Sequence, residues 1–380
     1  MNDYLKYWTG VGVLAVAYAG MIVGGHWAWA GFAMFPLLTV IDSLLPRDYA
    51  PRRMTNEALA DLPLYLCCIG PLLLYLVFAW RFDQGAYAAT SNLIGAVLSL
   101  AWTSIVPLAP AAHEMYHKRS LLGRTVGRYA QMCQFDSMRD IAHVVGHHID
   151  VATTRDGDTA PRGTKLYAFV FKAVWEQTPW DVTTESGALR KRGLSPWNWR
   201  HRGYHALVAQ VLFQGLVFVI GGAVAAALTT AAMLLTRVWA ESFNYFPHYG
   251  LVRSEGAPIG RRHLWNHLSW LSRVLSFDIT NHADHHLNSY KRYYELVPHR
   301  ESIPMPSLFM CFFASLIPPL WHRRFAMPAQ ALGPGVRNRR GTRAGPRTEP
   351  PCRLAGLDRR SRRRCRQSRH RGLLSRTVPA

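Results

Sequence analysis

Apolar positions in this chain fall into long unbroken runs rather than alternating with polar ones. The runs cover roughly residues 11–23, 27–45, 62–80, 86–112 and 207–239. A bilayer is spanned by about 20 apolar residues in a helix, so these runs predict several membrane passes. The last is long enough for a re-entrant hairpin or two short helices, with Gly221 and Gly222 near its middle. Between and after the runs, residues 113–206 and 240–304 are polar and predict a cap at one end of the bundle. The expected fold class is therefore all-α, a polytopic membrane helix bundle carrying a folded polar cap.

A cleaved secretory signal is a poor reading of the first run. Gly24-Gly25 leads straight into the next apolar stretch with no clear cleavage site, so the amino terminus is expected to stay on the protein. Orientation follows from positive charge in short connections. Lys6 precedes the first run, the turn at Gly24-Gly25-His26 has no Lys or Arg, and the next connection carries Arg47, Arg52 and Arg53. That arrangement puts the amino terminus, this connection and both polar segments on the cytoplasmic side of an inner membrane.

Composition refines the picture in two places. Of 380 residues, 49% are hydrophobic, yet the mean hydropathy is only −0.03, because polar and apolar residues are segregated along the chain. The formal net charge is +21. Residues 336–380 hold 15 Arg against 2 acids, about +13, which leaves roughly +8 for residues 1–335. The two expected regions are thus a membrane domain over 1–335 and an Arg-rich tail over 336–380 without the apolar pattern to fold. No nucleic-acid partner is expected, and the tail is read as an altered terminus. The cysteines, Cys67, Cys68, Cys133, Cys311, Cys352 and Cys365, form no CxxC pair and no disulfide framework. Aromatic residues such as Trp80, Trp102, Phe169 and Trp239 are expected chiefly as anchors at the membrane interface.

Nine histidines supply the candidate chemistry, in four tight groups: His113 and His117; His143, His147 and His148; His248; and His282, His285 and His286. Neutral imidazole is a common ligand for iron and zinc. A structural zinc is satisfied by four ligands and a catalytic one by three, so nine donors suit two metals, with redox iron leading. On a helix, His113/His117 and His143/His147 lie one turn apart and face one side, and His282/His285 also share a face. The doublets His147-His148 and His285-His286 cannot point one way on a regular helix. Each suits a segment that approaches two metals at once. HExxH alone, here His113-Glu114-Met115-Tyr116-His117, is also the zinc-protease pattern and arises by chance. The joint occurrence of all four groups favours a metal cage. His201/His205 and His263/His267 repeat the spacing but are read as hydrogen-bonding residues of the cap. Because ligating imidazoles usually donate their other N–H to a carboxylate or carbonyl, Glu114, Asp140, Asp150, Glu241 and Asp284 are candidate supports around the metals.

With these boxes the chain resembles the membrane-bound non-haem diiron hydroxylases related to alkane monooxygenase, xylene monooxygenase and the fatty-acid desaturases. The similarity is strongest to the hydroxylase component of xylene or p-cymene methyl-monooxygenases. It is carried by Ser99-Leu100-Ala101-Trp102, Arg139-Asp140-Ile141-Ala142-His143, Ser195-Pro196-Trp197-Asn198, Asn244-Tyr245-Phe246 leading into His248-Tyr249-Gly250, Glu295-Leu296-Val297-Pro298 and Ile317-Pro318-Pro319-Leu320-Trp321. It extends from about Tyr7 to His322. The resemblance implies a desaturase-like fold, two non-haem irons, O2 as co-substrate and hydroxylation of a methyl group to the primary alcohol. Its implied partners are an apolar small molecule, the lipid bilayer, and an NADH-dependent flavin and iron-sulfur reductase or rubredoxin-like donor. The second box reads Ala142-His143-Val144-Val145-Gly146-His147-His148, where alkane hydroxylases begin Glu-His-Asn-Arg-Gly-His-His. That departure favours aryl-methyl substrates of the xylene, toluene or p-cymene type. Alkane 1-monooxygenase, a membrane desaturase and an intramembrane zinc protease stand as alternatives. The first two are separated by substrate and product, the last by metal identity.

Overall fold

The computed structural model describes residues 2–326. The Arg-rich segment 336–380 lies outside the described residues. Among the described residues, five helical stretches are long and apolar enough to cross a bilayer: Asp3–Val23, Gly25–Leu44, Glu57–Asp83, Thr90–Tyr116 and Arg202–His248. The first four contain α1 (Trp8–Val23), α2 (Ala30–Leu44), α3 (Glu57–Asp83) and, together in the fourth, α4 (Thr90–Ile105) and α5 (Leu108–Tyr116). Val106 leaves helical geometry at φ −127°, ψ 111°, which separates α5 from α4. Beyond these come α6 (Leu121–Ala130), α7 (Leu166–Lys191), α8 (Arg202–Tyr245), α9 (Trp270–Leu275), α10 (His282–Leu287) and α11 (Leu308–Ser315).

α8 is a hairpin, not one long rod. Gly222 sits at φ 77°, ψ −176°, a backbone state closed to residues with a Cβ, and the helix reverses there. Across the two arms Gln214 Nε2 donates to Thr230 Oγ1 at 3.1 Å and Thr229 Oγ1 donates to Gln214 Oε1 at 3.2 Å. A straight helix would hold residues 15 or 16 apart at roughly 23 Å, since each residue advances about 1.5 Å. These pairs also satisfy polar groups that hydrocarbon could not. At the tip, a Cβ on Gly221 would fall 2.7 Å from the Ala79 carbonyl oxygen, so the hairpin end packs directly on the end of α3. The run over 207–239 therefore supplies two antiparallel arms. Leu212 and Val219 on its first arm are 68% and 79% exposed, as a lipid-facing surface requires.

The two ends of the bundle differ in kind. At one, the short turns meet: the Gly25 amide donates to the Ala86 carbonyl at 2.9 Å. At the other, the connection after α2 is sewn into the polar cap. The Asp48 amide donates to the Leu268 carbonyl at 2.7 Å, and Arg273 Nη1 donates to the Asp48 and Ala50 carbonyls at 2.7 and 3.0 Å. Asp42, near the end of α2, accepts from Ser269 Oγ, the Ser272 amide and Ser272 Oγ at 2.8, 2.8 and 2.6 Å. Sequence distance between membrane and cap is thus closed by charge-assisted hydrogen bonds, which are stronger than neutral ones.

One pair of strands interrupts the helical fold. β1 (Trp265–His267) and β2 (Ile303–Met305) run parallel with Trp265 opposite Ile303 and His267 opposite Met305. Trp102 and Phe169, expected at the membrane interface, are instead buried. Trp102 lies 4.6 Å from Phe35 and 6.2 Å from Phe309 by ring centroid, and Phe169 packs 5.5 Å from Tyr245. Trp80, 48% exposed, keeps the position an anchor would take.

Candidate metal centre

All four histidine groups meet in the cap, where their rings form two clusters. Ligand-capable nitrogens of His113, His117, His143, His148 and His285 lie within 4.8 Å of one another, and so do those of His147, His248, His282 and His286. Every one of these histidines is buried except His148, which is half-buried. His113 and His117 come from the last turn of α5 and its cap. The second box is a π-helical turn over Ala142–His147. Because a π turn bonds i to i+5, His143 and His148 come to the same side, their rings edge to face and their Nε2 atoms 2.9 Å apart. His147 is turned to the other cluster.

This local widening explains why His143 and His147 do not share a side, as the regular helical spacing predicts. In α10, His282 and His286 are the pair on one face, and His285 turns to the five-histidine cluster. Each doublet is therefore divided between the clusters, His148 from His147 and His285 from His286.

The geometry suits cations better than imidazoles bonding one another. His113 Nε2 is 2.7 Å from His143 Nε2, His143 Nε2 is 2.9 Å from His148 Nε2, and His148 Nε2 is 3.1 Å from His285 Nε2. In the other cluster His248 and His282 bring their Nε2 atoms to 2.6 Å. Only one proton fits between two such nitrogens, and His143 and His148 each face two neighbours. Two ligands at right angles around an ion with N–metal bonds near 2.1 Å would stand about 3 Å apart. His117 and His286 have no hydrogen-bond partner at either buried ring nitrogen among the described residues. A buried polar atom without a partner is costly, and a cation removes that cost. Burial also holds these rings in the neutral form a metal needs, taking His117 down to about 4 and His282 to about 3, and lowering His143, His285 and His286 well below the ordinary imidazole range.

Three outward nitrogens of the four-histidine cluster are tied to the protein. His248 Nδ1 faces the Asn244 carbonyl and His282 Nδ1 the Ile279 carbonyl, both at 3.2 Å. His147 Nδ1 lies 2.9 Å from Asp156 Oδ2. Burial alone would depress His147, but the Asp156 charge and hydrogen bond hold it above the ordinary imidazole range. Asp156 has no short-range sequence signal beyond its place in Thr154-Arg155-Asp156-Gly157-Asp158, nine residues after His147.

The five carboxylates expected around the metals are placed elsewhere. Glu114 accepts from the Tyr293 amide at 3.1 Å. Asp140 pairs with Arg202 at 2.6 Å and Asp150 with Arg155 at 3.7 Å. Glu241 accepts from Arg139 at 2.6 Å and from Asn244 Nδ2 at 3.0 Å, so it reaches His248 only through Asn244. Asp284 holds His299 and the Val297 amide, both at 2.9 Å. His201 caps α8 by accepting from the Gly203 amide, His205 faces the Trp199 carbonyl and His263 accepts from the Gly260 amide.

Beside the clusters lies a cavity of about 150 Å3. Ile105, Val106, Ala109, Phe243, Leu308 and Phe309 wall it, and His113, His143, His147, His248 and His282 open onto it. It is apolar everywhere but at the imidazoles and a few polar groups that include Gln131, Arg139 and His267.

Comparison with known proteins places the chain among membrane monooxygenases. The fatty acid desaturase family profile matches residues 88–304. The xylene/toluene monooxygenase hydroxylase component of Pseudomonas putida is 40% identical over 328 residues, which is 86% of this chain and 89% of that protein. Alkane 1-monooxygenase 1 of Pseudomonas aeruginosa is 29% identical across 78% of this chain and 81% of its own length. Alkane 1-monooxygenase 2 of Alcanivorax borkumensis is 25% identical across 84% and 88%.

Proposed function

The chain belongs to the fatty acid desaturase family, in the branch with the xylene/toluene and alkane monooxygenases, and from that premise we propose that it hydroxylates a methyl group on an aromatic hydrocarbon. In balance, ArCH3, O2, two electrons and two protons give ArCH2OH and water. His113, His117, His143, His148 and His285 would hold one iron, and His147, His248, His282 and His286 would hold the other. When bound, the two irons supply the reduction of O2 that makes an unactivated C–H bond reactive.

The protein's own residues bind, orient and exclude water. Phe243, Leu308 and Phe309 remove the substrate ring from water, while Ala109 and Val106 keep room beside the imidazoles. One observation carries the substrate class: the 40% identity to a xylene/toluene monooxygenase hydroxylase component, over most of both chains. The cavity beside the imidazoles, about 150 Å3, has room for a single benzene ring. The lower identity to alkane 1-monooxygenases, 29% for the Pseudomonas aeruginosa protein, favours aryl-methyl substrates over linear alkanes. Glu114 is turned to the Tyr293 amide, which leaves the zinc-protease reading without its general base.

Electrons come from a separate donor, an NADH-dependent flavin and iron-sulfur reductase or a rubredoxin-like carrier. The histidine end faces the cytoplasm, because the connection bearing Arg47, Arg52 and Arg53 is bound into the cap at that end. The test is iron analysis of the purified protein joined to product analysis with p-xylene, p-cymene and octane. About two irons per chain and benzylic alcohol from the aromatics are expected. A single zinc, or alkene as product, would overturn the reading.

A further inference from the structure

Among the cavity's polar groups, His267 has a hydrogen-bond function left open. It is 1% exposed and lines the cavity, yet belongs to neither nitrogen cluster. Its place is set by backbone: β1 pairs with β2, and the His267 amide donates to the Thr280 carbonyl at 3.1 Å, just ahead of the turn that carries His282. Its Nδ1 lies 2.8 Å from the Pro306 carbonyl. A carbonyl only accepts, so Nδ1 carries the proton and Nε2 is a bare acceptor. Nε2 is buried and has no partner among the described residues. Burial lowers this imidazole to about 4, so at neutral pH it stays an acceptor.

We infer that His267 is the hydroxyl-recognition residue of the cavity, accepting through Nε2 the O–H of an aromatic primary alcohol. This rests on the function proposed above and adds a ligand class to it. A hydrocarbon substrate has nothing to donate, and its presence leaves Nε2 unsatisfied. The alcohol formed from it carries a donor. Leaving a buried acceptor unpaired costs free energy, and supplying the donor recovers it, so this one atom separates alcohol from hydrocarbon. The consequence is selective retention of the hydroxylated product. His267 contacts ligand in this role and takes no part in forming the C–O bond.

The test is equilibrium binding of p-xylene and 4-methylbenzyl alcohol to the purified, iron-loaded full chain, measured by calorimetry on wild type, His267→Leu and His267→Gln. Leu removes the acceptor. Gln keeps a carbonyl oxygen near it. For His267→Leu, alcohol affinity is expected to fall on the order of tenfold, the usual scale of one lost hydrogen bond, with p-xylene affinity unchanged or improved. Recovery of alcohol affinity in His267→Gln supports the assignment. Three results overturn it: equal weakening of both ligands in His267→Leu, no weakening of the alcohol, or loss of iron from both variants, which would make His267 a metal ligand. Wild type that binds neither compound would instead remove the substrate reading of the cavity, and the His267 assignment with it.

Discussion

Asp156 Oδ2 sits 2.9 Å from His147 Nδ1, with both side chains buried. The carboxylate is itself held, accepting from Thr159 Oγ1 at 2.6 Å and, through Oδ1, from the Asp158 amide at 3.0 Å. It therefore fixes the ring plane of His147 and keeps the proton on Nδ1, leaving Nε2 to the four-histidine cluster. Partners of this kind typically matter 10–100-fold for metal affinity. Asp156→Asn should lower iron affinity of that cluster by about this factor while the five-histidine cluster keeps its ion. Chelator titration with metal analysis reads the outcome, and unchanged retention would reduce Asp156 to a fold residue.

The division of ligands makes a second prediction. His117 belongs to the five-membered cluster and His286 to the four-membered one, and both have unpartnered ring nitrogens. His286→Ala leaves three imidazoles in its cluster and should lose that iron to a chelator well before wild type does, leaving about one iron per chain. His117→Ala retains four ligands and should lose its iron more slowly to a chelator. Mössbauer spectra of the two variants should each keep a different one of the wild-type signals. Identical spectra would argue against two separately ligated ions.

Much of this architecture was legible in the residues themselves. Long apolar runs mark membrane helices because lipid forces every backbone group into an internal hydrogen bond, and the Gly221-Gly222 step marks the reversal in α8 because only glycine takes the dihedrals at 222. The histidines could be grouped from spacing, and the doublets pointed to two centres. Which histidine serves which cluster could not be read, because it depends on the π turn at Ala142–His147, a local widening that no residue pattern announces. Asp156 was missed for a different reason. It follows a turn, and only the return of the chain over Val151–Thr159 brings it back to His147. Sequence nearness to histidine does not decide which carboxylate supports a ligand, because buried Arg139 and half-buried Arg202 draw Glu241 and Asp140 away.

Asp181 offers a test of the buried charge around the second box. It is 2% exposed on α7, its Oδ1 has no partner among the described residues, and burial pushes its carboxyl up to about 8. The folded chain keeps a proton that the unfolded chain sheds near 3.8, so stability falls as pH rises between about 4 and 8 and levels off above. Asp181→Asn removes the titrating group and should be more stable than wild type at pH 8, by on the order of 2 kcal/mol. Thermal unfolding in detergent from pH 6 to 8.5, at matched iron content, should show wild type losing stability with pH and the variant losing less. Parallel curves would mean that Asp181 is not the group responsible.

Cavity size can be separated from metal binding at Ala109. This residue lies in the first turn of α5, one turn ahead of His113, and its methyl faces the cavity without belonging to either cluster. Ala109→Phe places a ring where the substrate ring is proposed to sit, and a cavity of about 150 Å3 has no space for both. Since the new ring enters existing space, the folding cost should stay at or below the roughly 1–3 kcal/mol of ordinary overpacking. The expected result is KM for p-xylene raised on the order of tenfold, or turnover abolished, with iron content unchanged; a methylene in an apolar pocket is already worth about 10–200-fold. Ala109→Ser, nearly isosteric, should leave KM close to wild type and controls for disturbance of α5. If Ala109→Phe keeps both its iron and a wild-type KM, substrate reaches the histidines by another route, and the apolar walls named here serve packing alone.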